Sequence, residues 1–380
     1  MGRTIEVLEG VASVPRDAWN ALVGEASPFL EWEWLASLEE AACVGPEQGW
    51  QPRPLVVREN GRLVAACPLY LKHHSEGEFV FDWGWADAAH RAGIDYYPKL
   101  LVGVPFTPVT GARFLSAPDF ERREAIALLG AGLRQLCDGN GLSGAHVNFC
   151  LPDERDALAG DGYLLRVGLQ YHWSNAGYTS FDDYLANLRS KRRNQVRRER
   201  RAVREQGVVT SVLRGDAICD EVFEPMFRCY RMTVDAHYYG RLYLNRAFFE
   251  LLRERWKHRL CFVVARRGGE IVAGTTNVVK GDAFYGRYWG GLQHVRNLHF
   301  DVCYYAAIEH CIEAGLARFE PGAGGDYKFL RGFDPQPTFS LHYLADPRLA
   351  RAVERYLASE RADAAHTIEV LRRHSQLKPV

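Results

Sequence analysis

The residues best suited to chemistry form three clusters in the second half of the chain. The segment FEPGAGGDYKFLRGF (319–333) carries Glu320, then Gly322, Gly324 and Gly325, then Lys328 and Arg331. A carboxylate near a strand end can accept a proton. A glycine-rich turn with two cations suits a phosphate or a developing oxyanion. Glu320 is such a carboxylate, with a structural ion pair to Arg318 or Arg331 as the competing reading. The segment TVDAHYYGRLYLN (233–245) sets Asp235, His237, Tyr238, Tyr239, Arg241 and Tyr243 between two expected helices. Loops on rigid scaffolds commonly carry sites. Asp235 or His237 is the alternative base, and Tyr238, Tyr239, Arg241 and Tyr243 are candidate substrate contacts. The third cluster, RSKRRNQVRRERRAVR (189–204), holds nine basic residues against one acidic. On a helix it leaves only Val196 and Val203 as an apolar stripe, and phosphates would be drawn to it. Arg192, Arg193 and Arg197 are its candidate phosphate ligands, and a solvated helix face is the competing reading.

In the first half, FDWGWADAAHRAGIDYYPKL (81–100) groups Asp82, Trp83, Trp85, Tyr97 and Lys99. Aromatic faces with a few polar groups suit a sugar or peptide acceptor. The alternative is a core strand flanked by ordered loops, and for Trp83 alone that alternative is preferred.

The elements that must hold these residues follow from pattern. Residues 3–8 alternate as a strand, helices are expected from Pro15 and over 30–42, and two strands flank an Asn60-Gly61 turn. Further strands are expected over 78–85, 99–104, 143–150 and 163–171, with helices over 120–137 and 153–159. Then comes a helix over 181–206, opened by Thr179 or Ser180, and helices over 221–233 and 245–256. A second hairpin turns at Gly268-Gly269, a third strand covers 283–290, a helix over 300–314 ends at Gly315, and two strands and a charged helical tail over 347–373 close the chain. The two hairpins lie about 210 positions apart, which reads as a duplicated unit. The expected domains are 1–171, on the acceptor side, and 172–380, carrying the chemistry, the basic helix 189–204 and the helical tail 347–373.

Composition bounds the rest. The 380 residues are 47% hydrophobic and carry 47 basic and 47 acidic side chains, so only a local patch could attract nucleic acid or membrane. Nine cysteines without a CxxC pair read as buried free thiols of a reducing compartment. No zinc-ligand spacing is present, so no metal is expected. The N-terminus lacks an apolar signal core and no stretch reaches the roughly 20 apolar residues of a membrane span, so the expected location is the cytoplasm. No catalytic triad, P-loop or dinucleotide fingerprint occurs.

The order hairpin, third antiparallel strand, helix, following strand resembles the GNAT acyltransferase core. Several segments resemble the GNAT-like, Fem-like family of peptidoglycan biosynthesis or recognition proteins. They are SPFLEWEWL (27–35), FDWGWAD (81–87), YYPKL (96–100), VPFTPVTG (104–111), HWSNAGYTSFDDYL (172–185), KRRNQVRRER (191–200), HYYGRLYLN (237–245) and FEPGAGGDYKFLRGF (319–333). The resemblance implies an α/β (α+β) fold of two tandem GNAT-like domains, each a mixed, mostly antiparallel sheet flanked by helices. It also implies direct attack of an amine on an activated acyl group and, because GNAT enzymes often draw a base from the core sheet, Glu320 as the first candidate base. In acetyl-CoA users the pyrophosphate sits on backbone amides after the third strand. The matching stretch is YWGGLQHVRNLHF (288–300), where Gly290, Gly291 and Arg296 are present at a departing spacing. Fem enzymes take aminoacyl-tRNA instead and carry a Phe-Lys-x-Gly-Phe segment, whose lysine position here is Leu330, flanked by Lys328 and Arg331. The resemblance thus implies an acyl- or aminoacyltransferase, with acetyl-CoA or another acyl-CoA as donor, or aminoacyl-tRNA as the alternative donor. The acceptor would be a small-molecule or peptide amine, such as a cell-wall precursor. The rivals are a binding protein for such precursors that has lost the chemistry, and an RNA-binding module around 189–204.

Overall fold

Both hairpins form where the turn residues place them. Leu55–Glu59 pairs antiparallel with Arg62–Cys67 across Asn60-Gly61, and Leu260–Arg267 pairs with Glu270–Lys280 across Gly268-Gly269. The computed structural model describes residues 2–235 and 243–378, leaving aside the side chains of 234 and 235. The chain folds as two units, residues 1–169 with 337–367, and residues 170–336 with 368–380. The sequence reading put everything after 171 in the second domain. The structure differs for 337–367, because Leu349, Val353 and Leu357 of the helix Pro347–Arg373 bury against Trp85 and Ala89 of the first unit. Their i, i+4, i+8 spacing is one apolar face of a helix.

In the first unit the strands Arg3–Val7, Leu55–Glu59, Arg62–Cys67 and Leu115–Ser116 form one antiparallel sheet. A second set runs Trp50–Pro52, Leu69–Lys72, Lys99–Val102 and Gly144–Cys150, joined by the 337–344 part of Asp334–Leu344. Lys99–Val102 and Gly144–Cys150 are parallel, as a strand–helix–strand crossover requires, and the helix Arg122–Gly139 makes that crossover. The strand expected over 78–85 is absent. Residues Trp83–Arg91 are a helix instead, with Trp85 and Ala89 on its buried side at i, i+4.

In the second unit Val208–Arg214, Leu260–Arg267, Glu270–Lys280 and Ala283–Gly291 form an antiparallel run. Arg318–Glu320 then joins Ala283–Gly291 in parallel, and Trp173 and Ser174 pair antiparallel with its other edge. The strand Val208–Arg214 was missed from sequence; its pattern is half-exposed and lacks the continuous apolar run of its neighbour. The expected helix 181–206 is two helices, Phe181–Asn187 and Ser190–Glu205. Leu188 between them turns to extended backbone and bridges to Leu377, a partner no local pattern reveals. Ser180 caps the first helix by accepting from the Asp183 amide at 3.1 Å. The helix over 298–313 contains a π-helical stretch, Asp301–Tyr305. Such stretches frequently mark functional sites.

Candidate functional site

Glu320 ends the short strand Arg318–Glu320, opposite Tyr285 in the parallel register. Its side chain is almost wholly buried, with Oε1 3.3 Å from Arg318 Nε and Oε2 3.9 Å from His172 Nε2. The ion pair to Arg318 is thus real, while Arg331 is engaged elsewhere. Burial, helped by Arg318 and Lys328, lowers His172 to about 4, so its ring is neutral near pH 7. Arg318 Nη2 donates to Tyr285 Oη at 3.0 Å. Burial first, then the adjacent Glu320 charge, raises the Tyr285 hydroxyl. The strand end therefore groups one carboxylate, one neutral imidazole and one arginine. That set can accept a proton and hold the resulting charge balance.

The loop after Glu320 depends on glycine. Gly322, Gly324 and Gly325 all lie in the left-handed region, with φ of 83°, 67° and 86°. The loop folds over Lys328, whose Nζ donates to the carbonyls of Gly322 at 2.6 Å and Ala323 at 2.9 Å. Burial lowers this ammonium to about 8. The following turn, Phe329–Arg331, sends the guanidinium inward. Arg331 donates to Glu199 Oε2 at 3.0 Å, to Tyr305 Oη at 2.8 Å and to the Tyr327 carbonyl at 2.9 Å, with the Phe300 ring 3.6 Å away. Arg331 is a buried clamp and is not presented to a donor, contrary to the role expected of it. Lys328 sits beside the turn that Arg331 fixes.

The stretch 288–300 does not form the expected phosphate loop. Gly290 and Gly291 end the strand Ala283–Gly291. A Cβ on Gly290 would lie 1.7 Å from the Cys229 carbonyl oxygen, so this glycine exists to let the helix Phe223–Asp235 press on the strand. Beyond it, the amides of Leu292 and Gln293 donate to the Val272 carbonyl at 2.7 and 3.2 Å. The Arg296 amide donates to Gln206 Oε1 at 3.1 Å, and the Leu298 amide to the Val295 carbonyl at 3.3 Å. A CoA pyrophosphate needs such amides to be available. The amides of Leu292, Gln293, Arg296 and Leu298 are taken within the protein.

The helix Ser190–Glu205 buries Val196, Glu199 and Val203. Arg192 is tied to Gln376 Oε1 and Gln195 Oε1, each at 3.0 Å, and Arg193 reaches the Ala186 carbonyl at 3.4 Å. Arg197 lies 3.5 Å from the largely exposed Asp182. Of the remaining cluster, Tyr243 is half-buried. The side chain of Asp235, together with His237, Tyr238, Tyr239 and Arg241, lies outside the described residues. Among the described residues no group of His, Cys, Asp or Glu could hold a metal ion, and no helix is long and apolar enough to cross a membrane.

With this geometry in hand, the sequence profile of the FemAB-like family, described as peptidoglycan biosynthesis/recognition, matches residues 10–379. The chain belongs to that family. No curated protein sequence matches this FemAB-like chain significantly. Its fold is similar to the crystal structure of FemX, at 11% identity, covering 93% of this chain and 100% of that one, with a TM-score of 0.56. A conserved protein of unknown function from Bacteroides thetaiotaomicron matches at 13% identity, covering 90% and 100%, with a TM-score of 0.55. L-PGS from Bacillus licheniformis matches at 11% identity, covering 85% and 95%, with a TM-score of 0.52. At these identities the likeness carries the fold.

The first unit of this FemAB-like protein buries an ionic network that sequence reasoning found only in part. Lys99, fully buried, donates to Glu78 at 3.0 Å, Asp82 at 2.5 Å and Ser75 Oγ at 2.8 Å. Tyr96 Oη donates to Asp82 at 2.7 Å, and Tyr97 Oη bonds Ser75 at 2.8 Å. Burial works to raise Asp82, but the Lys99 and His146 charges outweigh it and hold the carboxyl below its usual range. Lys72, also fully buried, sits over the Trp50 ring at 3.6 Å and is lowered to about 6, while burial raises Glu78 to about 7. His146 Nδ1 meets His342 Nδ1 at 2.6 Å, and Trp85 packs edge-on against His342. Asp82, Trp85 and Lys99 are therefore interior groups, whereas Trp83 is exposed and packs against the exposed Phe81. Lys72, Glu78, His146 and His342 were missed, since each sits in a run that reads as strand or turn. The alternation of His146 with Asn148, and of Ser340 with His342, on inward-facing positions was the available signal.

Proposed function

We propose that this FemAB-like chain transfers an acyl or aminoacyl group to an amine, with Glu320 as the base that receives the amine proton. The supporting observation is the near-buried Glu320 carboxylate at the end of a parallel strand, beside neutral His172 and followed by the glycine loop over Lys328. The amine nitrogen attacks the acyl carbonyl carbon and a C–N bond forms. The bond from that carbon to the leaving oxygen or sulfur breaks, Glu320 takes the amine proton, and that proton passes on to the leaving oxygen or sulfur, which departs neutral as the Glu320 carboxylate is regenerated. Lys328, charged below about 8, lies in the loop where charge develops on the carbonyl oxygen. The acceptor proposed is an amine of a cell-wall precursor or peptide, in line with the family's description.

An aminoacyl ester on tRNA is favoured as donor over an acyl-CoA. Two observations support this: the amides of Leu292, Gln293, Arg296 and Leu298 after the strand Ala283–Gly291 are engaged within the protein, and the second unit carries the arginine-rich helix Ser190–Glu205. The test is incubation with amine acceptors and either a charged-tRNA pool or a panel of acyl-CoAs, with mass-spectrometric detection of the N-acylated amine. Product from charged tRNA alone is the expected result. Product from acyl-CoA alone reverses the donor assignment, and product from neither leaves the rival, a binding protein for such precursors.

A further inference from the structure

The helix Ser190–Glu205, taken above only as an arginine-rich run, presents one face to a cavity. Arg193, Arg197, Arg201 and Arg204 follow one another at four- and three-residue spacing, with Arg200 beside Arg201, so the five form one stripe along the helix. Like charges at such spacing repel, which disfavours the helix unless an anion or acid offsets them. Four of these arginines line a cavity of about 330 Å³ whose far wall is formed by Phe181, Asp182 and Leu185, with Glu309 at its side. Two acids lie in that lining, leaving two positive charges in excess.

The arginines differ in what they are doing. Arg200 is largely buried, pairs with Glu309 at 2.6 Å and Asp301 at 3.2 Å, and lies over the Phe181 ring at 4.6 Å. It forms the fixed floor. Arg197 pairs only loosely with Asp182, at 3.5 Å, and both side chains are more than half exposed. Arg201 and Arg204 are exposed and have no ion pair among the described residues. Three exposed guanidiniums thus converge on a concave pocket from one side of one helix. Guanidinium forks match phosphate oxygens bidentately, and they are weakly hydrated enough to exchange water for such a ligand.

We propose that this pocket is a phosphate-binding site, with Arg197, Arg201 and Arg204 as the ligating groups and Arg200, held by Glu309 and Asp301, as its floor. The ligand chemistry is a phosphate or diphosphate group, carried either on a small molecule or on a polynucleotide backbone. The site stands on the pocket and its charges and does not require the transfer reading.

The test compares two double variants of equal charge change in the full chain. Arg201→Ala/Arg204→Ala empties the pocket rim. Lys191→Ala/Arg198→Ala removes the same charge from exposed positions of the same helix that do not line the pocket. Inorganic pyrophosphate and a short single-stranded RNA are the probes, titrated at low and at physiological salt, with melting temperature and fluorescence anisotropy as readouts. The expected result is binding of at least one probe, weakened about tenfold or more per arginine in the rim variant and less than about threefold in the off-pocket variant. Pyrophosphate binding assigns the group to a small molecule. RNA binding alone assigns it to a backbone, with a log–log salt slope of about −0.7 per phosphate held. Equal losses in the two variants would show diffuse charge attraction and overturn the proposal, as would no binding of either probe. A Glu320→Gln variant must bind as the unaltered chain does, so loss of transfer and loss of this site are read separately.

Discussion

The Arg331 guanidinium donates to the Glu199 carboxylate at 3.0 Å, and both side chains are under 10% exposed. Glu199 is the single acid in the basic run 189–204, and it faces inward to accept also from Tyr305 and from Gln195 Nε2 at 2.8 Å. One buried ion pair therefore ties the arginine-rich helix to the turn that holds Lys328. Removing either partner leaves a buried charge uncompensated, which costs about 3–5 kcal/mol. Glu199→Ala and Arg331→Leu are each expected to lower the unfolding free energy by that order. The double variant is expected to lose much less than the sum of the two. Additive losses in the double-mutant cycle would contradict the pairing.

Gly290 and Gly291 are expected to respond oppositely to alanine. At Gly290 the new methyl would fall 1.7 Å from the backbone oxygen of Cys229, which cannot move aside like a side chain. At Gly291 the nearest atom, in the Trp289 ring, is 3.4 Å away, an ordinary contact. Gly290→Ala is expected to yield little soluble protein or to lose more than about 4 kcal/mol, and Gly291→Ala to stay within about 1 kcal/mol. Had both glycines cradled a phosphate, equal stability and parallel losses of ligand binding would be seen instead.

Acid is expected to weaken the fold through buried histidines. His172, His299 and His310 are each lowered to about 4 from 6.5, by burial first and then by nearby arginine or lysine charges. Between about 4 and 6.5 the unfolded chain binds more protons at these groups than the folded one, so stability rises with pH across that window. Their contribution is complete above about 6.5 and is lost as pH falls towards 4. Melting temperatures measured from pH 4 to 7.5 should show this slope. His310→Phe, which keeps a ring against Phe284, should flatten it; an unchanged slope would remove His310 from the account.

The buried lysine of the first unit gives a further test. Lys99 is the shared cation of Glu78 and Asp82. Lys99→Met strands both carboxylates and is expected to cost about 3–5 kcal/mol, with part recovered when Asp82→Asn is added. Chemical denaturation measures both. A silent Lys99→Met would show that the network carries no stability.

Much of this architecture was legible because its signals are local. The Asn60-Gly61 and Gly268-Gly269 turns, the Asn245 and Ser180 caps, and the stripe of Val196 and Val203 each declare themselves within a few residues. What escaped depends on partners far away in sequence. The break after Asn187 is set by Leu377, and the purpose of Gly290 is set by a helix sixty residues earlier. For the site, residue types were read more reliably than roles. Glu320, Lys328 and Arg331 lie on one strand–loop–turn segment as the motif suggested. Only the geometry shows that Arg331 turns inward to Glu199 while Lys328 is folded under its own loop. Asp82 and Lys99 were read as contacts for a sugar or peptide acceptor, yet they are interior partners, because charge alone does not reveal a buried counterion.

The most direct test of the central claim is a single-turnover measurement of amine acylation by the unaltered chain and by Glu320→Gln, which keeps the shape of the side chain and removes its basicity. The donor is whichever gives product with the unaltered chain. The account predicts a rate about 100- to 10,000-fold lower in Glu320→Gln, with an unchanged melting temperature. A Glu320→Gln rate equal to that of the unaltered chain would contradict the assignment of Glu320 as the base.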